Sequence, residues 1–195
     1  MRKLAVIEFL SLDGVYQAPG GPEEDTDGGF KHGGWQRPFF DDVMGEAVTK
    51  RMAQTDAHLF GRKTYEIMAA FWPTAPSDEP IAQHLNSVRK YVASRTLKNA
   101  DWQNSTVIRK VPEEVARLKE EPGRNIAVLG SGNLVQTLMA HDLVDEYSLM
   151  VFPIVLGSGK RLFPDGEQMR NLRLVDSKPT TTGALMLTYQ PTAVS

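Results

Sequence analysis

Apolar and polar positions along the chain alternate between two rhythms. Lys3 to Leu10 is rich in Val, Ile, Leu and Phe and ends in Ser11-Leu12-Asp13-Gly14, the pattern of a buried first strand closed by a turn. Phe39 to Gln54 instead carries apolar residues at helical spacing, at Phe40, Val43, Met44, Ala47, Val48 and Met52. Between them, Ser11 to Pro38 reads as loop. It holds Pro19-Gly20-Gly21-Pro22, acidic residues at Glu23, Glu24, Asp25 and Asp27, and Gly33-Gly34-Trp35. A loop that long inside a compact domain is functional or disordered.

The same two rhythms continue downstream. Asp56 to Phe60 predicts a short strand, and Arg62 to Phe71 a helix stopped by Trp72-Pro73. Ile81 to Val88 predicts a helix; Lys90 to Ser94 and Thr106 to Arg109 predict strands. Pro112 to Glu121 has Pro in its first turn, Glu113 and Glu114 next, and Pro122-Gly123 beyond its end, which marks a helix at both limits. Asn125 to Leu129 is an apolar strand, followed by Gly130-Ser131-Gly132 and a helix from Asn133 to His141. Glu146 to Pro153 is a strand, and Arg173 to Ser177 with Ala184 to Gln190 form a hairpin around Thr180 to Gly183. Strand-helix alternation implies right-handed crossovers and a parallel sheet covered on both faces. The expected fold is a three-layer α/β/α domain spanning residues 1–195, its mostly parallel sheet completed by a C-terminal antiparallel hairpin.

Composition narrows the chemistry. The chain has 195 residues, 41% of them apolar, which suits one domain with a core of its own. It has no Cys, so disulfides, thiolate-bound zinc and thiol catalysis are excluded. A net charge of -2 without a basic stripe argues against nucleic acid and anionic membrane as partners. Glu8 and Asp13 interrupt the first apolar run too early for a signal peptide, and Leu149 to Leu156 is far shorter than the about 20 residues that span a bilayer. A cytoplasmic protein is expected. The four His (His32, His58, His84, His141) are scattered, and the acidic loop has Phe30 and Gln36 where a calcium loop starting at Asp25 needs Gly and Glu. No metal site is expected, and the acidic loop reads as solvated. No Gly-x-Ser-x-Gly elbow is present.

Two strand-to-helix junctions share one design. Phe60-Gly61-Arg62-Lys63-Thr64 and Leu129-Gly130-Ser131-Gly132-Asn133 each join a buried strand to a helix through glycine. Glycine permits close backbone approach, and the free N–H groups of a helix start accept anionic oxygen. Ligands of parallel sheets bind beyond the carboxyl ends of strands, so two such corners suit a two-phosphate ligand such as a dinucleotide. That would also explain Arg62 and Lys63 at a helix start, where the macrodipole disfavours cations; the alternative is that both point into water. The second corner is not a Rossmann fingerprint, because Val135 stands in place of the third Gly or Ala. Ser94-Arg95-Thr96, at another strand end, could grip a phosphate monoester or be an ordinary polar loop. Asp13 could bind substrate donors or relay a proton, or simply form the turn before Gly14. Trp35 could lid a planar ring or pack the loop down.

The ordered set resembles the dihydrofolate-reductase-like superfamily, in the group related to the reductase domain of the bifunctional riboflavin-biosynthesis deaminase-reductase. The resemblance runs through Ser11 to Gly14, Gly61 to Glu66, Lys90 to Leu97, Gly130 to Leu134 and Pro153 to Phe163. It implies an NADPH-binding reductase fold that is usually dimeric. By matching position Gly61, Arg62, Lys63 and Thr64, with Gly130, Ser131, Gly132, Asn133 and Leu134, would hold the pyrophosphate. Ser94, Arg95 and Thr96 would hold the 2′-phosphate, and Ser11, Asp13 and Trp35 would lie toward substrate, with Asp13 catalytic. The zinc deaminase partner domain is absent, since its Cys ligands are missing. The expected activity is hydride transfer to a C=N or C=O of a small planar or phosphorylated substrate, of which aminouracil reduction in the riboflavin pathway is the specific candidate. The rivals are a nucleotide-binding or sensing module without turnover and a structural dimer.

Overall fold

The computed structural model describes residues 1–166 and 168–192. Its sheet has eight strands in the order β4-β3-β2-β5-β1-β6-β8-β7. They are β1 (Leu4–Ser11), β2 (Thr55–Gly61), β3 (Arg89–Ala93), β4 (Ser105–Ile108), β5 (Asn125–Leu129), β6 (Glu146–Phe152), β7 (Asn171–Pro179) and β8 (Leu185–Thr192). The strands from β4 across to β6 pair in parallel, while β8 is antiparallel to both β6 and β7. This is the three-layer arrangement that the alternation and the closing hairpin predict, and it agrees with the dihydrofolate-reductase-like fold that the resemblance implies.

Five helices cover the sheet: α1 (Asp42–Ala53), α2 (Arg62–Phe71), α3 (Pro80–Ser87), α4 (Val111–Glu120) and α5 (Gly132–Ala140). Successive side chains of a strand face opposite ways. On β1, Leu4, Val6 and Leu10 pack with Val115 and Leu118 of α4 and with Val135 and Leu138 of α5. Ile7 and Phe9 face the other layer, against Met44 and Val48 of α1. On β2, Phe60 meets Tyr65 of α2 and Leu85 of α3 on that second face.

The register opens a cleft. β5 makes its last pair with β1 at Leu129 and Ile7, whereas β1 continues through Ser11 beside β6 alone. On its other flank β5 reaches only Leu59 of β2, which itself runs on to Gly61. Two strands therefore extend beyond the end of the one between them.

The long loop packs onto the fold, while its acidic segment Glu23 to Asp27 stays largely at the surface. Val15, Ala18, Phe30 and Trp35 are buried with Phe152 in a core of their own. The Gln17 amide donates to the carbonyls of Asp25 and Asp27, and the Trp35 indole donates to the Gln17 carbonyl at 2.7 Å. Glycine is obligatory at one crossing here, since a Cβ on Gly33 would stand 2.3 Å from the Pro22 carbonyl. α1 begins at Asp42 rather than Phe39, because Arg37 to Phe39 turn as a short 3-10 segment and Asp41 caps the helix by accepting the Met44 N–H.

Candidate active site

The two glycine corners lie side by side. The Gly61 N–H donates to Ser131 Oγ at 3.0 Å, and the Thr64 methyl lies against Gly130. Ser131 takes a left-handed conformation (φ 67°) that turns the chain sharply into α5. Gly132 passes beneath the Tyr16 ring so closely that a Cβ would stand 2.3 Å from a ring carbon. Neither α2 nor α5 carries a side-chain cap, whereas α1 and α3 are capped by Asp41 and Glu79. The first N–H groups of a helix have no partner inside it, so two uncapped starts present a joint surface for anionic oxygen. Both corners border one cavity of about 860 Å³ that fills the cleft past β5. Leu134 is buried against the larger core, and Asn133 is exposed at the rim.

The flanking cations are already engaged. Arg62 pairs with Glu66 at 2.7 Å and donates to Thr96 Oγ1 at 2.8 Å, which ties the Ser94–Thr96 segment to the first corner. Ser94 Oγ accepts the Thr96 and Leu97 N–H groups and shapes that turn; Arg95 is exposed beside it. This segment stands next to the cavity without lining it. Lys63 reaches Asp25 and Asp27 at 2.7 and 2.6 Å, and Lys160 reaches the same pair at 2.8 and 2.7 Å. The acidic residues are therefore a strap that ties the loop to α2 and to the segment after β6. Burial opposes ionisation of Asp25, but hydrogen bonds from Lys160, Lys63 and the Asp27 N–H outweigh it and hold the carboxyl at about 2.

Ser11, Asp13 and Trp35 turn away from the cavity. Asp13 accepts Ser11 Oγ–H at 2.7 Å and the N–H groups of Leu156 and Gly157 at 3.1 and 2.9 Å. Burial would raise its pKa, yet these donors bring it to about 2. Ser11, 1% exposed, also accepts the Val15 N–H. Both are committed to the turn after β1 and to the segment after β6. Trp35 is buried edge-on against Phe152 and packs the loop down.

The cavity wall contains groups that sequence patterns alone do not pick out. Glu8 is 3% exposed and lines the cavity, with Tyr16, Thr55 and His58 elsewhere on the wall. Burial raises the Glu8 carboxyl well above its ordinary range. Burial, followed by the charges of His84 and Lys90, pushes His58 down to about 3; its Nε2 lies 3.1 Å from that of His84. The one signal for Glu8 was an acid inside an otherwise apolar strand. Among the described residues no group of three or more His, Asp or Glu is arranged to hold a metal ion, and no helix is long and apolar enough to cross a membrane.

Comparison with known proteins agrees with the fold. Two structures share the fold: a putative riboflavin biosynthesis protein from Shewanella sp. PV-4 and a pyrimidine reductase-like protein from Corynebacterium diphtheriae. The first has a TM-score of 0.69 at 20% identity, over 98% of this chain and 99% of that one. The second has a TM-score of 0.67 at 13% identity, over 99% and 93%. In sequence, the chain is 33% identical to the uncharacterized protein YyaP of Bacillus subtilis (strain 168) over 144 residues, covering 72% of this chain and 77% of YyaP. YwjB of the same organism is 32% identical over 124 residues, covering 63% and 67%. The model of the RibD C-terminal domain matches residues 2–186, nearly the whole chain, and the protein belongs to that family.

Proposed function

We propose that this protein is an NADPH-dependent reductase acting on a C=N or C=O bond of a small planar or phosphorylated substrate. The observation that carries the reading is the pair of uncapped glycine corners at the mouth of one cavity. They suit a diphosphate in charge and in backbone access. Gly61 to Thr64 and Gly130 to Leu134 would hold it, and Ser94, Arg95 and Thr96 would meet the 2′-phosphate that distinguishes NADPH from NADH. When bound, the cofactor supplies the hydride. The chain's own part is to orient the substrate and exclude water: the loop of residues 16–25 borders the cavity, strapped by Asp25 and Asp27, and Ile7, Phe9 and Met150 give the wall an apolar surface.

The likeness to a pyrimidine reductase-like protein and to a putative riboflavin biosynthesis protein favours a pyrimidine-type substrate, and a 5-amino-6-(5-phosphoribosylamino)uracil reductase-like activity is the specific form. The protein would work in the cytoplasm, as a homodimer. A second reading, a nucleotide sensor without turnover, draws on one observation. Lys63 and Lys160 already find their countercharge in Asp25 and Asp27, so loop closure and anion binding address the same cations.

The test is titration with NADPH and NADH, following the fluorescence of Trp72 on the cavity wall. Saturable quenching with NADPH preferred is expected; binding of neither nucleotide overturns both readings. NADPH oxidation over a panel of pterins, aminopyrimidines and aldehydes then separates enzyme from sensor.

A further inference from the structure

A carboxylate is costly inside an apolar strand, and proteins answer by pairing it or by leaving it protonated. Glu8 is not paired. No ion pair to it is found among the described residues, and its Oε1 has no hydrogen-bond partner. Arg51, the cation nearest in kind on the inner wall, is spent on Glu146 and Thr188. Burial, the cause acting on its pKa, raises the Glu8 carboxyl well above its ordinary range and favours the protonated form.

Register explains why this side chain meets the cavity. Glu8 is the first residue of β1 beyond its last pair with β5, at Ile7 and Leu129. On that flank no strand lies beside it, and the space is the cavity. By the alternation of β1 the Glu8 side chain lies on the face of Val6 and Leu10, whereas Ile7, Phe9 and Met150 line the cavity from the other face and offer apolar surface only. A carboxyl with an unused oxygen in such a place ties no two parts of the protein together through that atom. The residue borders the cavity, and the buried Oε1 is left without a partner in the protein.

Among the other titratable groups of this wall, Lys63 and Lys160 are held as cations by their hydrogen bonds to Asp25 and Asp27, and three more are poorly matched to giving a proton. His58, held to about 3 by burial and by His84 and Lys90, is a neutral imidazole. Tyr16 is pushed up to about 12, by burial first, and is too weak an acid at neutral pH. Asp25 is an ionised acceptor in the strap.

We propose that Glu8 is the proton donor of the reduction, its carboxyl contacting the nitrogen or oxygen of the bond being reduced. The assignment rests on the reductase reading above. As hydride from the reduced nicotinamide adds to the carbon, the π pair of C=N or C=O passes to the heteroatom. That atom takes the Glu8 proton. The nicotinamide leaves oxidised by two electrons, and Glu8, now a carboxylate, regains a proton from water when the product departs.

The experiment joins infrared spectra to kinetics on the whole protein. Difference spectra between wild type and Glu8→Gln at neutral pH, without cofactor, are expected to show a carboxylic-acid C=O band. Adding NADP⁺ with members of a panel of aldehydes, imines and aminopyrimidines should shift that band for at least one compound. With NADPH and that compound, Glu8→Gln should lower kcat on the order of 10²-fold, the low end of general-acid catalysis, with KM and NADPH affinity nearly unchanged. Glu8→Asp keeps the acid but withdraws it by one methylene and should fall between. A missing band, a band that no compound shifts, or a Gln variant as fast as wild type each overturns the assignment. Prior titration of the wild type keeps the two ideas apart: if neither nucleotide binds, the reductase reading has failed and the donor role falls with it.

Discussion

Asp13 and Glu8 belong to one short stretch of chain and meet opposite fates. Asp13 stands past the end of β1, where Ser11 and the backbone of Leu156 and Gly157 need an acceptor, and it remains ionised down to about pH 2. Glu8 stands inside β1, surrounded by side chains, with an oxygen that nothing in the protein uses. Depth and the supply of donors together separate them: burial raises Glu8, and hydrogen-bond donors lower Asp13. A carboxylate saturated by the fold holds the fold; one left unsatisfied beside a cavity is free for a ligand. The conspicuous acid in Ser-Leu-Asp-Gly is hydrogen-bonded to Ser11, Leu156 and Gly157, and the inconspicuous acid in the strand is the one proposed to give the proton.

The sharpest way to break this comparison is pH. Glu8 holds its proton to higher pH in the fold than in the unfolded chain, where the ordinary value is 4.5. Wild-type stability should therefore fall as pH rises from that value toward the raised folded one, by up to about 1.4 kcal/mol per pH unit for one proton. Glu8→Gln should remove this slope and melt above wild type at neutral pH. Parallel melting curves for the two proteins across that range would show that Glu8 ionises normally.

A smaller effect is expected at Asp13. Asp13→Ala should cost about 1.5–3 kcal/mol in urea unfolding, the scale of a charge-assisted hydrogen bond, because the exposed Gly157 N–H regains water. The deficit should shrink as pH falls from 3.8 toward about 2, where wild type loses the same carboxylate. A deficit that persists below that range would place its origin elsewhere. Ser11→Ala should cost less, about 1 kcal/mol, by removing one neutral donor and acceptor.

The least effect on stability belongs to the strap. Asp27→Asn should weaken the tie of the loop to Lys63 and Lys160, and the difference in melting temperature should vanish at high salt, since these charges are exposed and screened. A difference that survives high salt would mean that packing, rather than charge, holds the loop.

The scaffold was legible where signals are local. α2 keeps its predicted limits, Arg62 to Phe71, because Gly61 opens it and Trp72-Pro73 closes it; β5 is fixed by its apolar run and the following glycine. The start of α1 was misplaced because Phe39 and Phe40 extend its apolar spacing while Pro38 and Asp41 set the actual boundary. The meeting of the two glycine corners could be anticipated from the rule for parallel sheets. The partners of their cations could not, since Lys63 and Asp25 are 38 positions apart and Lys160 and Asp25 are 135 apart. Glu8 was hidden for a different reason: in an apolar run a single acid looks like an interruption, and only the register reveals that it borders empty space.

The early halt of β5 has a consequence of its own. The depth of the binding hollow is set by how many residues one strand contributes, a matter of backbone length, while its character is set by what projects from β1, α1 and β6. Substitutions at Phe9 or Met150 would then reshape the cavity without rebuilding the frame, and a graft of extra residues at the tip of β5 would plug the vestibule outright.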